Sequence, residues 1–213
     1  MARRKPRSAT TYRRKGAIRE SYDVVLIVCE GEKTEPEYFE GLKKAHRLSS
    51  ANIRVVSGEG SDPVSIVKHA LRECQKGGYD QVFCVFDRNG HMNYEKALNL
   101  VANSSLGKKG KLVAINSVPC FEVWVLLHFD NRTAPFAASG GRSACDNVVH
   151  AIREHMPGYH KALANLYEQL QPRVDNAITN GNRLTQHNQD TGSENPATRV
   201  HEVVTYLRGL KNQ

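Results

Sequence analysis

Continuous apolar runs alternate with stretches of helical spacing along this chain. The runs at 24–29 and 81–86 show almost no polar alternation, which is typical of strands buried on both faces of a parallel sheet. Shorter runs at 53–57 and 111–116 predict two further strands. Because helical spacing separates the strands, the pattern predicts an α/β fold with a mostly parallel sheet, right-handed crossovers and flanking helices.

Capping residues and prolines indicate where the helices begin. Thr34 is the expected N-cap of the first helix, and Asp62 or Ser61 is expected to cap the second. Pro119 is expected to open an apolar helix that reaches Phe129. Further helical spacing is found at 64–74, 94–101, 148–155, 162–170, 174–181 and 200–210.

The length of 213 residues suits one α/β domain with a helical extension. We expect a basic flexible arm over 1–20, an α/β core over 21–130 and a helical extension over 131–213 that packs on the core. Small and polar residues predict an exposed loop at 131–146, and the Asn-rich stretch 182–195 is expected to be flexible.

Cysteine usage and hydropathy bear on the compartment. The five cysteines are widely spaced, lie mostly in apolar runs and show no paired zinc-site spacing, which favours core thiols in a reducing compartment. No apolar signal segment follows the basic amino terminus, and the longest apolar run, 118–129, is too short to span a bilayer. We therefore expect a cytoplasmic protein without membrane contact.

The formal charge of +8 is concentrated at the amino terminus. Residues 1–19 hold eight basic and no acidic residues, which leaves 22 basic and 22 acidic residues in the remainder. Such an arm can bind nucleic-acid phosphates without sequence preference, although a solvated tail that aids solubility is an equal alternative. The arm residues expected to contact nucleic acid are Arg3, Arg4, Lys5, Arg13, Arg14 and Lys15.

Acidic residues follow two of the predicted buried strands. Glu30 and Glu32 come after the first, and Asp87 comes after the strand at 81–86. The carboxyl edge of an open α/β sheet is where ligands bind. If the strands are neighbours, carboxylates about 4 Å apart repel by about 4 kcal/mol, so the cluster needs a cation or a shared proton. Oxygen ligands favour Mg²⁺ or Mn²⁺, whereas the alternative for each acid is helix capping or solvation.

Glu122 is the one charged residue in the apolar segment 118–129. An unpaired buried carboxylate costs several kcal/mol. Glu122 is therefore expected to face a cation, water or a basic side chain, and a salt bridge to Lys or Arg is an equal alternative to a metal.

Four segments together resemble the RloB family. They are Val28-Cys29-Glu30-Gly31-Glu32-Lys33-Thr34-Glu35, Phe86-Asp87-Arg88-Asn89-Gly90-His91, the segment 117–129 (Ser-Val-Pro-Cys-Phe-Glu-Val-Trp-Val-Leu-Leu-His-Phe) and Asn195-Pro196-Ala197-Thr198-Arg199-Val200. The segments occur in order over nearly the full chain. The resemblance is therefore more specific than any single motif.

The resemblance implies a Toprim/Rossmann-like fold and a metal-dependent nuclease of bacterial phage defence (abortive infection), often beside an ATPase partner. It implies catalytic roles for Glu30, Asp87 and Glu122, and a metal held by these acids and Asn89 with Mg²⁺ or Mn²⁺ as cofactor. Asn89 departs from the Asp that Toprim proteins favour there; an amide offers an oxygen but no charge, so metal affinity should drop.

Two functions from different classes follow. The first is a divalent-metal-dependent nuclease acting on DNA or RNA. In this function Lys33 and Arg88, which lie beside the acids in the sequence, also contact the nucleic acid. Glu32, Glu122 or His91 completes the metal site. The second is a nucleic-acid-binding or adaptor subunit of a defence complex whose metal site has decayed. A nucleotide-hydrolysing enzyme is a third option.

Overall fold

The computed structural model describes residues 23–48, 50, 52–58, 60, 62–88 and 90–210. The predicted basic arm and the candidate ligand Asn89 lie outside the described residues. The arm's expected nucleic-acid contacts are therefore not tested; they are Arg3, Arg4, Lys5, Arg13, Arg14 and Lys15.

A five-stranded sheet with the order β2-β1-β3-β4-β5 forms the centre of the fold. Strands β1 to β4 pair in parallel, and the short β5 runs antiparallel to β4. The predicted mixed α/β fold with a mostly parallel sheet is therefore confirmed. The strands are β1 (Val25–Cys29), β2 (Ile53–Ser57), β3 (Gln81–Asp87), β4 (Leu112–Val118) and β5 (Ala197–Thr198).

Helices cover both faces of the sheet. They are α1 (Thr34–Ala45), α2 (Pro63–Gln75), α3 (Tyr94–Asn103), α4 (Ser105–Lys108), α5 (Glu122–Leu126), α6 (Ala144–His155), α7 (Leu166–Leu170), α8 (Val174–Thr191) and α9 (Val200–Gly209), with a 3₁₀ turn at Gln171–Arg173. Side chains of β1 alternate between two cores: Val25, Ile27 and Cys29 face α1 and α5 to α9, and Leu26 and Val28 face α2 and α3. This two-sided burial explains the absence of polar alternation in β1.

Several predicted helix limits are wrong, and side-chain contacts give the reasons. Residues 182–195 are not a flexible stretch, because α8 continues to Thr191. Leu184 is buried there, and Asn188 Nδ2 donates to the Pro196 carbonyl at 2.8 Å. Thr34 is the first residue of α1, and its Oγ1 accepts the Ala162 N–H at 3.1 Å. It does not act as the N-cap.

Two other helices are shorter than predicted, and one is longer. The apolar helix expected from Pro119 to Phe129 is helical only over Glu122–Leu126, and the helix expected at 162–170 begins at Leu166. Helix α6 begins at Ala144, inside the predicted loop, because Ser143 and Asp146 form a capping box. Asp62 caps α2 as predicted, accepting from the Val64 and Ser65 N–H groups.

The expectation of five core thiols is wrong for one pair. Cys120 and Cys145 form a disulfide with an S–S distance of 2.14 Å, because the turn after β4 packs against the start of α6. Cys29 and Cys84 are buried free thiols, and Cys74 is half-buried. Within the described part of the chain, every helix is too short or too polar to cross a bilayer.

Candidate active site

An acidic pocket of about 470 Å³ lies where β1 and β3 end. Cys29 pairs with Val85, and the Glu30 N–H continues this pairing by donating to the Val85 carbonyl at 2.9 Å. Because β1 and β3 are neighbours, Glu30 and Asp87 emerge at the same edge of the sheet. We call this the acidic pocket; four buried or partly buried carboxyl groups line it: Glu30, Glu35, Asp87 and Glu122.

Asp87 provides a buried carboxyl oxygen to the pocket. Its Oδ1 is buried and has no hydrogen-bond partner among the described residues. Burial raises the pKa of Asp87 well above its ordinary value, and the negative charges of Glu35 and Glu122 raise it further. A buried acceptor without a partner is costly, so this oxygen favours either a proton or a bound cation.

Glu30 is held from two sides. Its Oε2 accepts the Asp87 N–H at 2.9 Å, and its Oε1 lies 2.9 Å from His91 Nε2. Burial raises the pKa of Glu30, while the Asp87 N–H and His91 act in the opposite direction. His91 therefore contacts a pocket carboxyl, whereas Glu32 is exposed at the pocket lining.

Glu122 begins α5 and is only 2 % exposed. Its Oε1 lies 3.7 Å from Lys161 Nζ, and its Oε2 lies 3.4 Å from Cys145 Sγ. Burial raises the pKa of Glu122, and Lys161 partly offsets this effect. The salt bridge considered from the sequence is thus present, but Lys161 is 54 % exposed in its side chain and so compensates the charge incompletely.

Glu35 is a pocket residue that sequence reasoning missed. It is 6 % exposed, and burial, followed by the charges of Glu122 and Glu30, raises its pKa to about 7. A Cβ added at Gly31 would collide with the Glu35 carboxyl. The signal was present in the sequence, because Glu35 precedes the buried Tyr38 by three positions and therefore lies on the apolar face of α1.

Lys161 reaches the pocket on a loop between α6 and α7. The next residue, Ala162, has a φ of 63° and donates its N–H to Thr34 Oγ1. A left-handed non-glycine residue is held by its surroundings at some cost. The start of α1 therefore fixes the loop that brings Lys161 to Glu122. The predicted helix at 162–170 was wrong over 162–165, which belong to this loop.

The carboxyl groups of the pocket fit a hard divalent cation that keeps part of its water shell. Among the described residues, one group of three potential ligands has all donor atoms within 4.8 Å of one another, and it is Cys120, Glu122 and Cys145. Its two sulfurs are bonded to each other. No three of the four pocket carboxyls therefore lie this close together, but Mg²⁺ typically takes one or two carboxylates together with waters and substrate phosphates.

The two remaining basic candidates occupy different positions. Lys33 is exposed and lines the acidic pocket. Arg88 instead lines a neighbouring cavity, where its Nη1 lies 2.7 Å from Glu194 Oε2. The structure therefore brings Lys33, but not Arg88, to the pocket that holds Asp87.

Fold and site together define a mixed α/β protein with a cation-compatible acidic pocket at the carboxyl edge of a parallel sheet. The family model described as RloB-like protein matches residues 25–207. The chain therefore belongs to the RloB family, and the match includes all four pocket carboxyls. No curated protein and no solved structure matches the chain.

Proposed function

We propose that this protein is a divalent-metal-dependent nuclease of Toprim type that cleaves DNA or RNA. The observation that carries the proposal is the convergence of Glu30, Asp87 and Glu122, from three separate segments, on one pocket in which Asp87 Oδ1 has no partner among the described residues. Structural carboxyls are usually paired or solvated, and perturbed pKa values cluster at functional sites.

The ion would be held by carboxyl oxygens of Asp87 and Glu122, with Glu35 within the same pocket. When bound, Mg²⁺ or Mn²⁺ supplies positive charge for the phosphoryl oxygens and a water of lowered pKa. Glu32, the alternative ligand, lies at the exposed part of the lining.

The chain's own groups have distinct roles in this proposal. Glu30 acts as general acid or base, because its carboxyl is oriented by the Asp87 N–H and by His91 Nε2, which lies 2.9 Å from Glu30 Oε1. Lys161 and Lys33 line the same pocket and offer ammonium groups to the phosphodiester oxygens. Lys161 also partly offsets the effect of burial on the pKa of Glu122.

The test compares wild type with Asp87→Asn, which keeps the shape of the side chain and removes its charge. Cleavage of DNA and RNA panels should require added Mg²⁺ or Mn²⁺ and should fall by at least about 100-fold in Asp87→Asn. The matched control is Asp130→Asn, at an exposed residue outside the pocket. Metal-independent cleavage, or equal cleavage by wild type and Asp87→Asn, would refute the proposal.

A decayed metal site is the second candidate function, and Asn89 in place of the acid favoured in Toprim proteins motivates it. In this case the protein is a nucleic-acid-binding adaptor. Titration calorimetry with Mn²⁺ discriminates the two: micromolar binding that Asp87→Asn abolishes supports the nuclease, and absence of binding supports the adaptor.

The proposal also includes a role in phage defence beside an ATPase partner, which family resemblance suggests. Phage plaque counts on bacteria expressing wild type or Asp87→Asn test this role. Protection that needs Asp87 supports it, and equal plaque counts contradict it.

A further inference from the structure

A second cavity, of about 380 Å³, lies beside the acidic pocket between α3, β4, β5 and α8. Arg88, which directly follows Asp87, lines it, and so does Asn116, whose partner across the sheet is Phe86. Asp87 lines the acidic pocket and Arg88 lines the second cavity, so two consecutive residues at the end of β3 connect the two sites. We call this second space the β4–α8 cavity; its volume lies within the usual range of small-molecule sites, about 300–1,000 Å³.

The two guanidinium groups that line the β4–α8 cavity are already paired with carboxylates, and the Glu95 carboxyl lines the cavity as well. Arg88 pairs with Glu194 at 2.7 Å. Arg199 makes two bonds of 2.7 Å to Glu202 and a third, of 2.9 Å, to the Ala114 carbonyl. Since neither guanidinium is left without an anion, the cavity is poorly suited to a phosphate and better suited to a neutral, polar group.

Amide groups supply polar contacts of the kind that such a group needs. Asn188 donates from Nδ2 to the Pro196 carbonyl, and its Oδ1 is buried with no partner among the described residues. Asn116 donates from Nδ2 to the Tyr94 hydroxyl at 2.6 Å. A ligand that donates an N–H to Asn188 would satisfy the buried acceptor, and exocyclic amino and ring N–H groups of nucleobases are such donors.

Arg88 adds a flat surface at the mouth of the cavity. Its Cζ lies 5.7 Å from the centre of the Tyr94 ring, and 42 % of its side chain is exposed. Unpaired bases stack on arginine guanidinium planes in protein–RNA complexes. A planar surface, an unsatisfied acceptor and compensated charge thus occur together in one cavity next to the proposed reaction site.

We propose that the β4–α8 cavity receives one unpaired nucleobase, so that the substrate is a single strand or a locally unpaired segment of nucleic acid. This inference rests on the proposed nuclease function and names its substrate class. A base seated against Arg88 and Asn188 would place the adjoining phosphodiester towards Asp87. A fully paired duplex cannot fill the cavity without extruding a base, which costs a few kcal/mol.

The test measures binding in EDTA, where the proposed cleavage cannot occur. The full chain is titrated into a single-stranded oligonucleotide with a central 2-aminopurine and into the same oligonucleotide as a duplex. We expect a change in 2-aminopurine fluorescence with the single strand and at least about tenfold weaker binding of the duplex. Equal affinity for both, or fluorescence that does not change, overturns the inference.

Arg88→Lys is the decisive variant, because it keeps the positive charge but removes the planar surface. It should abolish the fluorescence change and weaken single-strand binding by about tenfold. The matched control, Arg183→Lys, lies at an exposed position of α8 outside the cavity and should behave as wild type. Wild-type behaviour of Arg88→Lys overturns the inference.

The two proposals fail in distinguishable ways. Base insertion in EDTA without any metal-dependent cleavage refutes the nuclease and keeps the cavity assignment. Metal-dependent cleavage restricted to perfect duplex, unaffected by Arg88→Lys, refutes the cavity assignment and keeps the nuclease.

Discussion

Replacing Glu35 with Gln should stabilise the metal-free protein at alkaline pH much more than at acid pH. The carboxyl of Glu35 is buried among other acids, and its pKa rises from 4.5 to about 7. A raised carboxyl pKa means that the folded protein holds a proton which the unfolded chain releases. The contribution of Glu35 to stability is therefore greatest below about pH 4.5, falls as the pH rises to about 7, and is constant above that value.

The magnitude follows from the size of this rise. Each pKa unit corresponds to about 1.4 kcal/mol. The raised pKa of Glu35 therefore lowers the free energy of unfolding by about 3 kcal/mol at pH 8, where the carboxyl is ionised in the fold, and by about 1 kcal/mol at pH 5, where only the unfolded chain is ionised. Gln does not titrate, so it removes this loss at both pH values. The Gln side chain also leaves one backbone N–H, which donates to the Glu35 carboxyl, without a suitable acceptor. This costs about 1 kcal/mol and does not depend on pH.

Urea denaturation in EDTA at pH 5 and pH 8 measures the difference directly. The gain in unfolding free energy from Glu35→Gln should be about 2 kcal/mol larger at pH 8 than at pH 5. Glu37→Gln, at an exposed position of the same helix, should change stability by less than about 0.5 kcal/mol at either pH. An equal effect of Glu35→Gln at both pH values would show that burial and the neighbouring charges do not raise the pKa of Glu35 as argued.

The other predictions concern the loop that carries Lys161 and the amino-terminal arm. Lys161→Met should lower kcat by at least about tenfold, and Lys161→Arg should restore part of it, because the ammonium group is proposed to bind phosphate oxygens; equal kcat in Lys161→Met contradicts this role. Thr34→Val removes the acceptor of the Ala162 N–H and should cost about 1–2 kcal/mol, with faster hydrogen exchange at Ala162, whereas Thr34→Ser should retain the protection. Removal of residues 1–19 should flatten the dependence of nucleic-acid affinity on salt by about 0.9 per lost phosphate contact, and an unaltered slope would make the arm irrelevant to binding.

The central strands could be predicted because burial on both faces requires apolar residues at successive positions. Strands β1 and β3 are covered on both faces, so nearly every residue in them is apolar. Strand β5 has only two residues and shows no periodicity. It pairs antiparallel with the end of β4, where Thr198 lies opposite Ser117 and the two hydroxyls are 3.0 Å apart. Such long-range contacts leave no local pattern.

Helix α8 shows why composition misled the prediction for 182–195. Its polar side chains include Asn180 and Asn188, which donate to the carbonyls of Leu127 and Pro196 and thereby fix the helix against neighbouring segments. Asparagine is a weak helix former, and these tertiary hydrogen bonds override its local preference. The Leu127 acceptor lies 53 residues from Asn180, outside any sequence window around α8.

The candidate site was predictable to the extent that strand ends determine it. Glu30 and Asp87 follow neighbouring parallel strands, so their convergence follows from topology. Lys161 could not be assigned, since its position depends on the bond between Thr34 and Ala162, which are 128 residues apart. Glu35 lay within reach of sequence reasoning, because it lies three residues before the buried Tyr38 on the apolar face of α1.

Proton binding would compete with the proposed cation binding in the acidic pocket. The pKa values of Glu30, Glu35, Asp87 and Glu122 are all raised, with burial as the first cause in each case. These carboxyls must therefore lose protons before their oxygens can bind a cation. Since Glu35 titrates near pH 7, affinity for Mn²⁺ should rise with pH through this value, and the pH dependence of stability seen in EDTA should diminish when Mn²⁺ is added. If the pocket carboxyls were neutralised by salt bridges alone, Mn²⁺ affinity would not rise with pH and Mn²⁺ would not reduce the pH dependence of stability. These two measurements therefore distinguish a cation site from a purely structural cluster of acids.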